Sequence, residues 1–190
     1  YDKIYCVSEP VRKQVIARFP ELADRTEVLL NFIDIKQVQR RSEEPLSDPQ
    51  YTGELKFLTV GRASEEKGYD IAVQITAELK KRGLCFKWFI IGDGRDLNKL
   101  RTMAKEYQVE QEIIFLGMRE NPAPYVKSCD LYLQPSRHEG YPITIVEARS
   151  LQKVIIASDI PSMREQIRDG ENGYLCPLDV MQFADKIQKV

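Results

Sequence analysis

The sequence predicts an α/β protein built on a doubly wound, Rossmann-like parallel sheet. Two observations carry this. Apolar runs of strand length alternate with stretches of helical period, and those runs are apolar throughout rather than at every second residue. A strand reads that way when helices cover both of its faces. The alternation runs to the end of the chain, with no solenoid repeat and no low-complexity tract.

In chain order, Ile4–Val7 is a short strand, and Ser8 caps a helix carrying Val11, Val15, Ile16 and Phe19 at helical spacing. Val28–Phe32 reads as a second strand. From Ile35 to Glu54 the composition is that of a linker: RRSEEPLSDPQYTGE mixes Pro, Ser, Gly and charge without an apolar period. Strands are then expected at Phe57–Val60, Phe86–Ile91, Ile113–Leu116, Leu131–Leu133 and Val154–Ala157. Helices between them cover Tyr69–Arg82, Asp96–Tyr107, Pro122–Lys127 and Pro142–Leu151, followed by Pro161–Arg168 and a last helix from Asp179. One strand, one helix and one strand cannot bury a core alone. Residues 1–34 are therefore read as the tail of a preceding domain, 35–54 as a linker, and 55–190 as the Rossmann-like domain with its last helix cut short.

The 190 residues suit one domain or one domain and a fragment, and a hydrophobic share of 43% suffices for a core. Lys plus Arg number 28 against 29 Asp plus Glu, a balance that argues against a general nucleic-acid or anionic-membrane surface. No apolar run reaches the length of a membrane-spanning helix, and the charged, strand-like first residues do not read as a signal peptide. Cys6, Cys85, Cys129 and Cys176 are scattered without a C-x-x-C pair. They are read as reduced, mostly buried thiols of a cytoplasmic protein, with neither a zinc site nor a redox motif.

Four stretches carry the candidate chemistry. Asp130–Asp159, DLYLQPSRHEGYPITIVEARSLQKVIIASD, is a strand, a polar loop, a helix and a strand, the unit that builds parallel sheets. Glu139 lies in the loop at the carboxyl end of the first strand. Glu147 lies about one turn into the helix, with Thr144 on the same face, and the positive end of the helix is expected to keep it ionised. Open parallel sheets bind ligands at that edge, where helix starts point backbone N–H groups outward. Two carboxylates there can grip two sets of hydroxyls, such as those of a sugar and of a ribose. GRASEEKG, Gly61–Gly68, follows the strand Phe57–Val60. Its Arg62 and Lys67 suit a diphosphate, which takes a planar fork and a mobile point charge, although the run read alone is a solvated turn. IIGDG, Ile90–Gly94, is a strand entering a glycine turn and reads as structural; no G-K-[ST] follows to make a P-loop. FLGM, Phe115–Met118, ends the next strand.

His138, the only histidine, stands beside Glu139 without a Ser or Cys nucleophile pattern and reads as an exposed loop residue. No D-x-D is present to hold a divalent ion against phosphates, so no metal is expected. A glycosidase pair flanks a single bond. Glu139 and Glu147, on a loop and on the helix after it, are aimed instead at different parts of a long ligand.

Glu139-Gly140-Tyr141 with Glu147 eight positions on, framed by Pro135-Ser136 before and IIASDIPSMREQI after, resembles the E-x7-E element of the retaining, GT-B-fold glycosyltransferases, the "glycosyl transferases group 1" family. The resemblance covers nearly the whole chain in order: Asn31 to Asp34, G-R-x4-K-G, I-G-D-G, F-x-G, P-S-x-x-E-G with Glu147, and G-x-L at Gly173–Leu175. Phe32 departs from it by standing where the family usually has Gly. Pro142 replaces a Gly, which removes one backbone donor but suits a helix start. Gln152 and Val154 replace a Gly and a Pro.

The resemblance implies the donor-binding half of a hexosyltransferase-type enzyme that needs no metal and no cofactor beyond its nucleotide-sugar donor, a UDP- or GDP-sugar. It implies a role in cell-surface polysaccharide or glycoconjugate synthesis, in the cytoplasm, with the whole enzyme seated peripherally at the inner face of a membrane. The glycan or lipid-linked acceptor then enters from a missing N-terminal domain. In that scheme Glu139 is catalytic and holds the donor-sugar hydroxyls, while Glu147 holds the ribose. Arg62 and Lys67 bind the diphosphate together with backbone around Gly140, Tyr141, Ile143 and Thr144. Met118 and Arg119 run beside the base through their backbone. Three alternatives stand beside it: an epimerase of the same two-domain architecture, a flavodoxin-like regulatory module, and a glycan-binding module without chemistry.

Overall fold

In the computed structural model the described residues are 2–190, and two parallel sheets organise them. The first is a pair, β1 (Ile4–Cys6) and β2 (Thr26–Val28). Between them runs α1 (Glu9–Arg18), where Ser8 caps as expected by accepting the Val11 N–H. The strand expected at Val28–Phe32 is displaced towards the amino end. β2 pairs with β1 over three rungs, Ile4↔Thr26 to Cys6↔Val28, and beyond them Leu29, Leu30 and Phe32 are exposed. A helix follows, α2 (Ile35–Ser42), inside the stretch whose composition reads as a linker. Asp34 caps it by accepting from Gln37 N.

The second sheet holds β3 (Lys56–Val60), β4 (Lys87–Ile91), β5 (Ile113–Gly117), β6 (Leu131–Gln134), β7 (Val154–Ser158) and β8 (Tyr174–Cys176). All pairings are parallel, in the order β5-β4-β3-β6-β7-β8. The helices are α3 (Tyr69–Lys81), α4 (Leu97–Glu106), α5 (Ala123–Ser128), α6 (Ile143–Ser150), α7 (Pro161–Arg164) and α8 (Val180–Lys189). Neighbouring strand residues feed opposite layers. Phe57, Trp88, Ile90 and Ile156 pack with α3, α4 and α8; Leu58, Phe89, Ile91 and Ile155 pack with α5, α6 and α7. This is why the strands are apolar at every position. Full burial of Phe89 alone contributes about 1.5–3 kcal/mol.

The helix expected over Pro161–Arg168 stops after one turn, at Arg164. Side chains from the polar turn behind it take over the backbone: Asn172 Oδ1 accepts from Arg168 N at 2.8 Å, and Asp169 Oδ1 from Leu175 N at 2.8 Å. That turn delivers β8, a three-residue strand pairing with β7 from Ile156↔Tyr174. Cys6, Cys129 and Cys176 are buried, Cys85 is exposed, and all four are free thiols. Among the described residues no helix is long and apolar enough to cross a membrane.

α2 is fastened by polar contacts. Arg41 Nη2 donates to Glu120 O at 3.0 Å, Asn121 Nδ2 to Arg41 O at 2.9 Å, and Gln39 Nε2 to Ser150 O at 3.3 Å. In the irregular chain after it, Tyr51 is buried and its hydroxyl donates to Tyr125 O at 2.9 Å. The direction of strand order reverses between β3 and β6, paired at Phe57↔Leu131. The carboxyl ends of those two strands form the crevice in which open α/β sheets take ligands.

Candidate functional site

Two loops meet at that crevice. From β3 the chain runs through Gly61 and Arg62 to a single 3-10 turn over Glu65–Lys67, then Gly68, then α3. From β6 it runs through Pro135 and Ser136 to Glu139 and Gly140. Gly68 has φ +66°, and a Cβ there would stand 1.9 Å from Pro135 O, so only glycine lets the loops close. Arg137 then locks them. Its N–H donates to Glu66 O at 2.8 Å, and its guanidinium grips both oxygens of Asp70 at 2.7 and 2.6 Å. Burial works against the Asp70 carboxylate, but the hydrogen-bonded Arg137 fork outweighs it and holds the pKa below the ordinary value.

The interlock brings Lys67 onto Glu139. Lys67 Nζ donates to Glu139 Oε1 at 2.7 Å and Oε2 at 3.0 Å. Oε1 also accepts from Gln134 Nε2 at 2.9 Å and from Ser136 Oγ at 2.7 Å. The Glu139 side chain is only 8% exposed and that of Lys67 20%. Lys67, in a charge run that reads alone as a solvated turn, is instead drawn onto a largely buried carboxylate. Glu139 is buried and needs a counter-charge, and Lys67 is the one in reach.

Beside this pair opens a cavity of about 500 Å³ whose lining includes three cations, Arg62, Lys67 and Arg95, two carboxylates, Glu66 and Glu139, and Gly140. Arg62 also lines a second cavity, of about 410 Å³, walled by Val60, Ile91, Gly92, Met118 and Pro122 at the ends of β3, β4 and β5. A cationic cavity and an apolar one thus meet at Arg62. His138 is exposed, as expected, and Met118 is 71% exposed. The Arg119 side chain is committed elsewhere. Its Nη2 meets Asp48 Oδ2 at 2.7 Å and its Nη1 meets Leu116 O at 2.5 Å, so the residue offers the apolar cavity its backbone. A wider cavity, of about 720 Å³, opens where β7 and β8 begin, by Val154 and Tyr174. It lies at the opposite edge of the sheet, and neither Arg62, Lys67, Glu139 nor Glu147 lines it.

On the β6 side, Gly140 sits against Val7, whose Cγ2 would be 3.0 Å from a Cβ at that position. Tyr141 O accepts from Asn31 Nδ2 at 3.1 Å, and Ile143 is exposed at the start of α6. Thr144 Oγ1 is buried without a hydrogen-bond partner. Glu147 is the fifth residue of α6 and half-buried. Burial pushes its pKa up, and only the charge of Arg41 opposes this. Burial raises the pKa of Tyr132 as well, and the charges of both Glu147 and Glu139 add to the rise.

Gln134, Ser136, Tyr69 and Arg95 are site residues that sequence reasoning missed. The Tyr69 hydroxyl is buried without a partner beneath Gly61, where a Cβ would stand 2.9 Å from it. A polar residue ending an otherwise apolar strand, as Gln134 does, was the available signal.

Comparisons with known proteins identify the family and the fold. An uncharacterized glycosyltransferase of Methanocaldococcus jannaschii is 29% identical over 98% of this chain and 45% of its own length. A lipopolysaccharide 1,6-galactosyltransferase of Salmonella typhimurium is 31% identical over 97% of this chain and 51% of its own length. The chain thus spans about half the length of these relatives. Among solved structures, Anabaena HepE in complex with UDP superposes with a TM-score of 0.83 at 20% identity, over 99% of this chain and 53% of that one. The pattern described as "Glycosyl transferases group 1" matches residues 41–190, and the chain belongs to that family of glycosyltransferases.

Proposed function

We propose that the chain binds a nucleoside-diphosphate sugar and presents it for transfer with retention of anomeric configuration, in the assembly of a polysaccharide or lipopolysaccharide. The single observation that carries this is the meeting of an apolar cavity and a cationic one at Arg62. A nucleotide sugar has the same layout: a flat base, a doubly charged diphosphate, then a sugar. The base takes the cavity beside Met118 and the backbone of Arg119. The diphosphate takes Arg62, Lys67 and N–H groups at the start of α6. Glu147 faces the ribose, and Glu139 the hexose. As the sugar leaves, charge grows on the diphosphate, and fixed cations stabilise it most there. They supply the positive charge that a metal ion would, so transfer proceeds with EDTA present. The HepE structure with UDP and the galactosyltransferase relative support a UDP-hexose as first choice of donor.

Calorimetric titration of the chain with UDP, GDP and their hexose conjugates tests the reading. One diphosphate and its conjugate should bind, and binding of neither would retire it. Glu139→Gln sharpens the test. It frees Lys67 for phosphate, so diphosphate affinity is kept or rises while the sugar conjugate loses affinity. A loss confined to the diphosphate would reverse the roles.

A further inference from the structure

Arg95 is a cation of this site that the motifs pass over. It follows the glycine turn after β4, and that turn is pressed flat against the Arg62 loop. A Cβ at Gly92 would stand 2.0 Å from Gly61 O, and one at Gly94 2.3 Å from Ala63 O. Two backbone hydrogen bonds close the contact, Ala63 N to Asp93 O at 3.0 Å and Asp96 N to Ala63 O at 3.1 Å. The turn, read from sequence as structural, thus also places Arg95 on the wall of the cationic cavity, with Arg62 and Lys67.

The three cations are not equally available. Lys67 is held by both oxygens of Glu139. Arg95 is held loosely: Glu66 Oε1 lies 3.7 Å from its Nη2 and Asp96 Oδ2 3.9 Å from its Nε, with the side chain 70% exposed. Both distances exceed a hydrogen bond, and exposed pairs of this kind contribute little. Arg95 can exchange them for a phosphate at small cost, and a guanidinium binds phosphate through two N–H groups at once. Position assigns which phosphate. Arg62 lines both cavities, whereas Arg95 lines only the cationic one, away from the apolar wall.

Resting on the donor reading above, we propose that Arg95 binds the distal phosphate of the nucleoside diphosphate, with Arg62 on the proximal one and Lys67 shared with Glu139. The test is titration of wild type, Arg95→Gln and Arg95→Lys with UDP and with UMP, at low and high salt. Arg95→Gln should bind UDP about tenfold more weakly than wild type, with a shallower dependence on salt, and should bind UMP unchanged. Arg95→Lys should recover part of the loss. The melting temperature should not move, because Arg95 has no close partner to lose. Wild-type affinity for UDP in Arg95→Gln, or an equal loss for UMP, overturns the assignment of Arg95 alone. A wild-type chain that binds neither UDP nor GDP overturns the donor reading and Arg95 with it.

Discussion

Lys67 and Arg62 look equivalent in the sequence and are not. Replacing Lys67 with Ala leaves Glu139, 8% exposed, without its counter-charge. Removing one partner of a buried ion pair costs about 3–5 kcal/mol. Lys67→Ala should therefore lower the urea midpoint as well as weaken diphosphate binding. Arg62→Ala should weaken binding by about 1.5–3 kcal/mol and leave the midpoint in place, since no ion pair engages Arg62 among the described residues. Equal midpoints for the two variants would contradict the burial of the Lys67–Glu139 pair. Glu147 carries a different signature. Its pKa in the folded chain is raised from 4.5 by burial. The folded state therefore holds the proton more tightly than the unfolded one, and stability is lost as pH rises through the folded pKa. Glu147→Gln removes that loss. It should stabilise the empty protein at neutral pH, with the gain vanishing below about pH 4.5, while weakening nucleotide binding. Denaturation of both proteins across pH measures this, and a gain that grew in acid would have the wrong sign. A ligand-binding carboxylate kept at the expense of stability is a common trade.

Between elements, legibility followed the kind of contact that holds each one. Strands β3 to β7 and helices α3, α4 and α6 were readable because they are held by apolar burial, which leaves a period in the sequence. α2 was not, because IKQVQRRS is held by Arg41, Gln39 and Asn121 bonded to backbone carbonyls. β8 was missed because three residues behind a polar turn are too few for a pattern. Within the site, Arg62, Lys67, Glu139 and Glu147 were legible as motif residues. The Lys67–Glu139 pairing was not, since it depends on two loops distant in sequence being joined by the Arg137 N–H donating to Glu66 O. Gly68 is where that contact is decided. A Cβ at φ +66° and 1.9 Å from Pro135 O adds about 1–2 kcal/mol of left-handed strain and about 1–3 kcal/mol of overpacking. Gly68→Ala should thus cost about 2–5 kcal/mol in urea denaturation and weaken diphosphate binding by displacing the loop that carries Arg62 and Lys67. A cost below about 1 kcal/mol would show that the loops can separate freely.

At the scale of the whole molecule, residues 2–34 support the site directly. Asn31 holds Tyr141 O, Val7 backs Gly140, and the Glu9 N–H donates to Glu165 Oε1 at 3.1 Å, so both loop and α7 rest on this segment. The crevice is walled from the β3 and β6 side, while Leu29, Leu30 and Phe32 stand exposed on that supporting segment. Glycosyl transfer needs the reacting centre closed to water and an acceptor held in line with the sugar. The relatives carry about as much chain again outside the matched region. The chain by itself should therefore bind a UDP-hexose yet release no UDP from it above the rate of the enzyme-free control, with or without glycan acceptors. Sustained UDP release that disappears in Glu139→Gln would show that these 190 residues already form a complete catalytic site.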